Sequence, residues 1–379
     1  QLEQYGYSAN VSNTCMGYFS PGGVMIKGYF DTGVEREGAF ISRTLASQVA
    51  DDLGLWFNYG QMGRDLKYAY DNGILQRVIP SAEYSEIPWD LLEDGDPRWA
   101  IDLFERVSYK RGEISHLGDG AYWLAERWNF GEDYWSDAKN KLVSPLGFPR
   151  HHSNESNGQV GALISLMFNR DAQSHTHQNF LFSGLPINLT KEIAGEVWGD
   201  PSAVDEKQNY TPMNRYKAVF AKWSIIRNVL HDSLSLCNWI WPMTASPLKE
   251  RNYRGNTALE SVFFSLATGL EKSEAELDTD AERVFTLHRA LTVKQMGTMD
   301  MRNQHDLLTD WVYDMDPDKE VFTPGTIKLD REDMELAKTM LYEEMGWDAQ
   351  TGAPTRATLD RLGMSDVADE LASLNLLPA

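Results

Sequence analysis

Residues 232–237 read DSLSLC and end a long apolar helical pattern that begins near residue 211. Residues 51–56 read DDLGLW and end a second helical pattern. The two stretches share one spacing, with an aspartate, a small residue three positions later and a leucine four positions later. The second stretch also contains Cys237, one of only two cysteines in the chain. Each stretch therefore places the same residue types at or just after a helix C-terminus.

These residue types suit a flat, nitrogen-rich ligand. A carboxylate has two acceptor oxygens and matches a ring that presents paired N–H donors, such as an aminopyrimidine. A small residue lets the backbone come close to a ligand, and a cysteine thiolate can bind a metal. The candidate cofactor-binding residues are Asp51, Gly54, Leu55, Asp232, Leu236 and Cys237.

The helix before the first stretch has a clear apolar stripe. The stripe consists of Ile41, Leu45, Val49 and Leu53. Gly54 is expected to end this helix as a C-terminal cap, which places the aspartate before it in the last helical turn. An acidic group there opposes the helix dipole. This small misfit indicates that the aspartate has a role other than stabilising its helix.

The composition argues against several classes of partner. The chain has 35 Lys and Arg against 56 Asp and Glu, a net charge of −21, which disfavours nucleic acid and anionic membranes. No apolar run reaches the ~18 residues expected of a membrane span. Two cysteines rule out a disulfide scaffold and suit a reducing compartment, so a cytoplasmic location is expected.

Apolar residues at helical spacing predict a mainly α-helical chain. The predicted helices are 41–54, 61–71, 97–111, 118–128, 160–168, 211–231, 256–269, 275–295, 330–347 and 366–374. The pattern breaks near Pro145, Gly147 and Pro149. The sequence thus predicts two packed multihelical domains, 1–140 and 141–379. The polar, methionine-rich stretch 296–310 is predicted as a loop over the site.

Histidines are concentrated early in the second predicted domain. Four of the eight lie between residues 151 and 177, including His175 and His177. Zinc would need two ligands one helical turn apart together with a cysteine or carboxylate, and a His-x-His pair on a turn suits it poorly. A structural role for each histidine stays open beside a catalytic one.

Taken together, the two aspartate stretches resemble the two pterin-binding signatures of the aldehyde:ferredoxin oxidoreductase family. The chain ending is also similar to that family, with LDR at 329–331, GWD at 346–348 and GAPT at 352–355, followed by 359–363. The stretches AERWN at 125–129 and NYRG at 252–255 resemble an uncharacterised enterobacterial oxidoreductase branch. The resemblance covers most of the chain.

The resemblance implies a specific set of cofactors. Family members hold tungsten or molybdenum between two pterins, beside a 4Fe–4S cluster. Each predicted domain would hold one pterin through its aspartate, and Cys237 would be the fourth ligand of the cluster. A histidine that follows an Asn-Arg pair, here His175 or His177 after Asn169 and Arg170, would exchange a proton near the metal.

The activity implied is the two-electron oxidation of an aldehyde or related carbonyl, with electrons passing to a ferredoxin-like acceptor. The choice between tungsten and molybdenum, and the substrate, stay open. The family also has a β-rich N-terminal domain that cradles the pterins, followed by three clustered cysteines, and neither occurs here. By the resemblance this sequence is a C-terminal portion, expected to be inactive without the missing N-terminal portion or a partner chain. The alternative is a non-catalytic helical subunit or scaffold, which would be colourless and free of metal.

Overall fold

The computed structural model describes residues 2–6, 45, 48–55, 61–94, 96, 98–131, 158–167, 180, 184–205, 211–236, 244–308, 313 and 329–379. The chain divides into two compact units, Gln1–His151 and His152–Ala379. The described residues form helices, turns and two isolated antiparallel bridges, and they contain no β-strand. The prediction of a mainly α-helical, multihelical fold is confirmed. The predicted domain boundary at residue 140 falls outside the described residues and stays a prediction.

The first unit is built from short helices around an apolar core. Its described α-helices are α1 (Gln61–Asp71), α2 (Ile74–Val78), α3 (Ser81–Glu86), α4 (Trp89–Asp94), α5 (Arg98–Ser108) and α6 (Ala121–Trp128). Helix α5 shows why they pack: Trp99, Leu103 and Val107 recur every four residues and are all buried. The indole of Trp128 at the end of α6 is also buried and donates a hydrogen bond to Glu113 at 3.0 Å.

The second unit contains the longest described helices. Its described α-helices are α7 (Gln159–Met167), α8 (Ile187–Trp198), α9 (Arg215–Ser233), α10 (Leu259–Thr268), α11 (Glu274–Met296), α12 (Met301–Gln304), α13 (Arg331–Met345), α14 (Arg356–Arg361) and α15 (Ser365–Ser373). Helix α9 packs against α7, α11 and α13. All nine residues of α7 are buried, so this helix lies inside the core of the unit.

Local sequence signals set the ends of these helices. The side chain of Asn214 accepts the backbone N–H of Lys217 at the start of α9. Ser273 begins α11 with a reciprocal capping box. Asp330 caps α13, and Gly346 ends it with a positive φ of 69°. The predicted helix between residues 330 and 347 is confirmed at both ends.

The stretch 296–310 differs from the loop predicted for it. Residue 296 still belongs to α11, and residues 301–304 form α12. Met301, His305 and Asp306 are buried. The prediction of a loop was wrong for this part of the stretch because Asp306 has a buried arginine partner, which its sequence neighbours do not reveal.

Candidate functional site

The first aspartate stretch ends its helix in a Schellman turn. Residues 48–52 are helical, and Gly54 follows in the left-handed region with a φ of 67°. The N–H of Leu55 donates to the carbonyl of Ala50 at 2.7 Å, and the N–H of Gly54 donates to the carbonyl of Asp51 at 3.0 Å. These two bonds define the Schellman motif and satisfy carbonyls that have no partner within the helix.

The second aspartate stretch forms the same turn. The N–H of Leu236 donates to the carbonyl of His231 at 2.9 Å, and the N–H of Ser235 donates to that of Asp232 at 3.3 Å. Ser235 has a φ of 57°, so it occupies the left-handed position held by Gly54 in the first turn. The shared spacing in the sequence therefore corresponds to one backbone geometry, which both stretches adopt.

Within both turns the aspartate occupies the same position. Its backbone carbonyl accepts the inner bond of the turn, and the side chains of Asp51 and Asp232 are both exposed. A carboxylate at a helix C-terminus opposes the helix dipole. Each turn thus presents an exposed carboxylate with two acceptor oxygens. Two acceptor oxygens match a ring with paired N–H groups, so the residues present fit a pterin.

The first turn is held mainly by apolar packing. Leu53 and Leu55 are half-buried and pack against the core of the first unit. The hydroxyl of Ser108, at the end of α5, donates to the carbonyl of Leu53 at 3.2 Å. Among the residues that the structure describes, a Cβ added to Gly54 would meet no atom within 4 Å.

The second turn lies above a buried polar network. His231, which directly precedes Asp232, is fully buried, and its Nε2 lies 2.6 Å from Oε1 of buried Glu260 on α10. The other oxygen of Glu260 is 3.4 Å from Nη1 of Arg227, one helical turn before His231. Arg227 also pairs with Asp278 at 2.6 Å on α11. The last two turns of α9 are thereby tied to two neighbouring helices.

This network shifts the pKa values of Arg227 and Asp278. Burial alone would lower the pKa of Arg227, but the carboxylates of Asp278, Glu260 and Glu274 raise it. Burial raises the pKa of Asp278, against the opposing effect of Arg227. The guanidinium therefore stays charged inside the protein, where an unpaired charge would be very unfavourable.

A second buried network joins α11 and α13 in the second unit. Arg289 donates to both carboxylate oxygens of Asp306, with the Nη1 bond at 2.9 Å, and to the carbonyl of Gly352 at 3.0 Å. The hydroxyl of Tyr342 donates to Asp306 at 2.5 Å. Burial would raise the pKa of Asp306, but Arg289 and His305 hold it well below its usual range. All its polar atoms face one another, so we interpret this network as structural.

A third polar cluster fixes the start of α7. The amide of Gln159 donates to the carbonyl of Thr211 at 2.7 Å and to Asp333 at 2.6 Å. The buried ammonium of Lys217 donates to Gln159 at 3.2 Å and to Asp205 at 2.7 Å. Helix α7 precedes, in sequence, the stretch that contains the predicted catalytic histidines.

The remaining predicted site residues lie outside the described part of the chain. These are Cys237, His175 and His177, together with the Asn169–Arg170 pair. Their proposed roles stay predictions. The sequence reasoning also missed two described residues beside the site, His231 and Glu260. The signal that could have identified His231 is a histidine on the apolar helix directly before the aspartate.

Among the residues that the structure describes, no group of three or more His, Cys, Asp and Glu side chains could hold a metal ion. None of their helices combines the length and the apolar character needed to cross a bilayer.

Comparison with known proteins identifies the family of this helical chain. Residues 38–364 match the family model described as "Aldehyde ferredoxin oxidoreductase, domains 2 & 3". The chain belongs to the aldehyde ferredoxin oxidoreductase family. The predicted resemblance is thus confirmed.

A solved structure has a similar fold. It is the active site complex BamBC of benzoyl coenzyme A reductase in complex with 1,5-dienoyl-CoA, with a TM-score of 0.54 and 17% sequence identity. The match covers 98% of this chain and 52% of the solved chain. This chain therefore spans about half the length of the protein it matches.

Proposed function

We propose that this chain forms the pterin-binding part of a tungsten or molybdenum oxidoreductase that oxidises an aldehyde or a related carbonyl. One observation carries the proposal: each unit has a helix that ends in the same hydrogen-bonded turn, with an exposed aspartate at the same position. Membership of the aldehyde ferredoxin oxidoreductase family supports the redox class.

The two turns have a common role in this proposal. Asp51 and Asp232 each accept N–H hydrogen bonds from the aminopyrimidine part of one pterin, as charge-assisted bonds. Gly54 and Ser235 lack bulk, so the backbone of each turn can lie close to the ring. Leu55, after Gly54, packs against the core of the first unit, and Leu234, before Ser235, packs against the core of the second.

When bound, the metal and its two pterins supply the two-electron redox chemistry. Cys237 follows the second turn in sequence and is proposed as the fourth ligand of a 4Fe–4S cluster, from which a ferredoxin-like carrier accepts electrons. His175 or His177 is proposed to exchange a proton at the carbonyl oxygen of the substrate. A cytoplasmic location fits an iron–sulfur enzyme in a reducing compartment.

The test is the cofactor content of the complete protein, purified with any partner chain. Asp51→Asn and Asp232→Asn each replace one acceptor oxygen by an N–H₂ group that faces another donor. Both variants are expected to lose pterin and metal. Asp52→Asn and Ser233→Ala are matched controls, because these exposed residues occupy the next position of the two turns, and they should keep the wild-type content.

Two results would contradict the proposal. Full pterin and metal content in both aspartate variants would remove the role of the two turns. A colourless wild-type protein that contains no tungsten or molybdenum would instead favour the alternative, a non-catalytic helical subunit that completes a site with a partner chain.

A further inference from the structure

The two turns share a backbone geometry but differ in what holds them. In the first turn, the residue whose carbonyl accepts the closing bond is Ala50, a small buried residue. In the second turn, the same position is His231, whose side chain is fully buried. His231 therefore contributes twice, because its carbonyl closes the turn and its imidazole lies 2.6 Å from Glu260.

Glu260 connects this histidine to the rest of the second unit. It is 1% exposed and lies near the start of α10, where its two oxygens face His231 and Arg227. The guanidinium of Arg227 also binds the carbonyl of Thr257 at 2.6 Å and Glu274 at 2.5 Å. The end of α9 is thus fixed to the segment before α10 and to the first turns of α11.

The second turn also has a greater need for such an anchor. Ser235 has a φ of 57°, in a region that non-glycine residues adopt at an energetic cost. Gly54 adopts the corresponding conformation with little cost. A turn that stores backbone strain persists only when the surrounding structure fixes it. The buried network lies directly beneath the second turn and can fix it in this conformation.

We infer that His231 and Glu260, supported by Arg227, are positioning residues that hold the second turn so that Asp232 faces its pterin. This inference rests on the proposed function of Asp232. The pair itself does not touch the ligand, because both side chains are buried among α9, α10 and α11. The first turn has no counterpart of the pair, since its equivalent residue is an alanine.

The experiment compares three variants of the complete protein. His231→Leu removes the donor to Glu260 at similar volume, whereas His231→Gln provides an N–H₂ group that can donate to the same carboxylate. His305→Leu is the matched control, because His305 is also buried and lies 2.7 Å from a carboxylate, that of Asp306. Hydrogen exchange of the Leu236 amide reports the bond that closes the turn.

In His231→Leu, the Leu236 amide should exchange at least about tenfold faster, and pterin content should fall. The Leu55 amide of the first turn should keep its rate. His231→Gln should restore both properties, and His305→Leu should change neither. Rescue by glutamine distinguishes positioning through the hydrogen bond from a general loss of packing, because glutamine keeps the bond but not the ring.

Two outcomes would overturn the inference. In one, His231→Leu leaves the exchange rate of the Leu236 amide within about twofold of wild type. In the other, exchange accelerates but pterin content holds, although Asp232→Asn loses pterin; the pair would then not position Asp232. If Asp232→Asn also keeps its pterin, the proposed function itself is refuted, and the inference falls with it.

Discussion

Gly54 and Ser235 occupy the same left-handed position in two equivalent turns, and this makes opposite substitutions informative. Gly54→Ala is expected to destabilise the first turn, because it introduces a side chain at a φ of 67°. Ser235→Gly is expected to stabilise the second turn, because it removes a side chain from a φ of 57°. The two turns should therefore respond with opposite signs.

The size of the effect follows from the backbone alone. A side chain in the left-handed region costs about 1–2 kcal/mol. Removing or adding a glycine also changes the entropy of the unfolded chain by about 0.4–1 kcal/mol in the opposite sense. A Cβ at Gly54 would meet no atom of the described residues within 4 Å, so no clash with them adds to these terms. Each substitution should change the free energy of unfolding by about 0.5–1 kcal/mol.

Two measurements check this reasoning. The melting temperature should move by about 1–4 °C in opposite directions for the two variants. Hydrogen exchange should locate the change, at the Leu55 amide for Gly54→Ala and at the Leu236 amide for Ser235→Gly. If Gly54→Ala leaves the stability unchanged, or if both variants shift it in the same direction, the interpretation of the turns is refuted.

Three further outcomes are expected. Asp306→Asn leaves Arg289 buried without its carboxylate and should lower the free energy of unfolding by about 3–5 kcal/mol in urea denaturation; an effect below about 1 kcal/mol would contradict a buried pair. A hydrogen bond from the Tyr70 hydroxyl to Glu93 raises the pKa of Tyr70 from 10.0 to about 12. This bond stabilises the fold below pH 10 and is lost as the pH rises towards 12, so ultraviolet titration should show a tyrosine that ionises near pH 12 in the wild type and is absent in Tyr70→Phe. His175→Ala should keep pterin and metal yet lose turnover by about 10²–10⁴-fold; a loss confined to His177→Ala would move the role to that residue.

Periodicity and capping residues predicted most of the long described helices. The helix at 61–71 was expected to end before Asn72 and Gly73, and α1 ends there. Asp330 and Gly346 likewise marked the ends of α13. These predictions succeed because a helix end depends on the few residues beside it, and those residues are visible in the sequence.

Short helices and buried charges were not predictable in the same way. Helices α2, α3 and α4 have five or six residues each, too few for a repeating apolar stripe to be recognised. Arg227 and Arg289 look like solvated charges in the sequence, yet both are buried. Their carboxylate partners lie on other helices or turns, so only the tertiary structure brings the charges together.

The aspartate stretches combine a local helix-end signal with a tertiary network, and the geometry of the turn explains their spacing. In a Schellman turn, the residue that accepts the inner bond precedes the left-handed residue by three positions and the closing donor by four. The pattern of aspartate, small residue and leucine has these same intervals in both stretches. The spacing is therefore set by the turn, and in the proposed function the ligand binds the exposed carboxylate that the turn presents. Glycine makes the first turn locally self-sufficient, whereas serine leaves the second dependent on the network of His231 and Glu260. Mutations outside the second turn, at Arg227 or its partners, should therefore weaken that turn, while the first turn should be sensitive mainly to changes within itself.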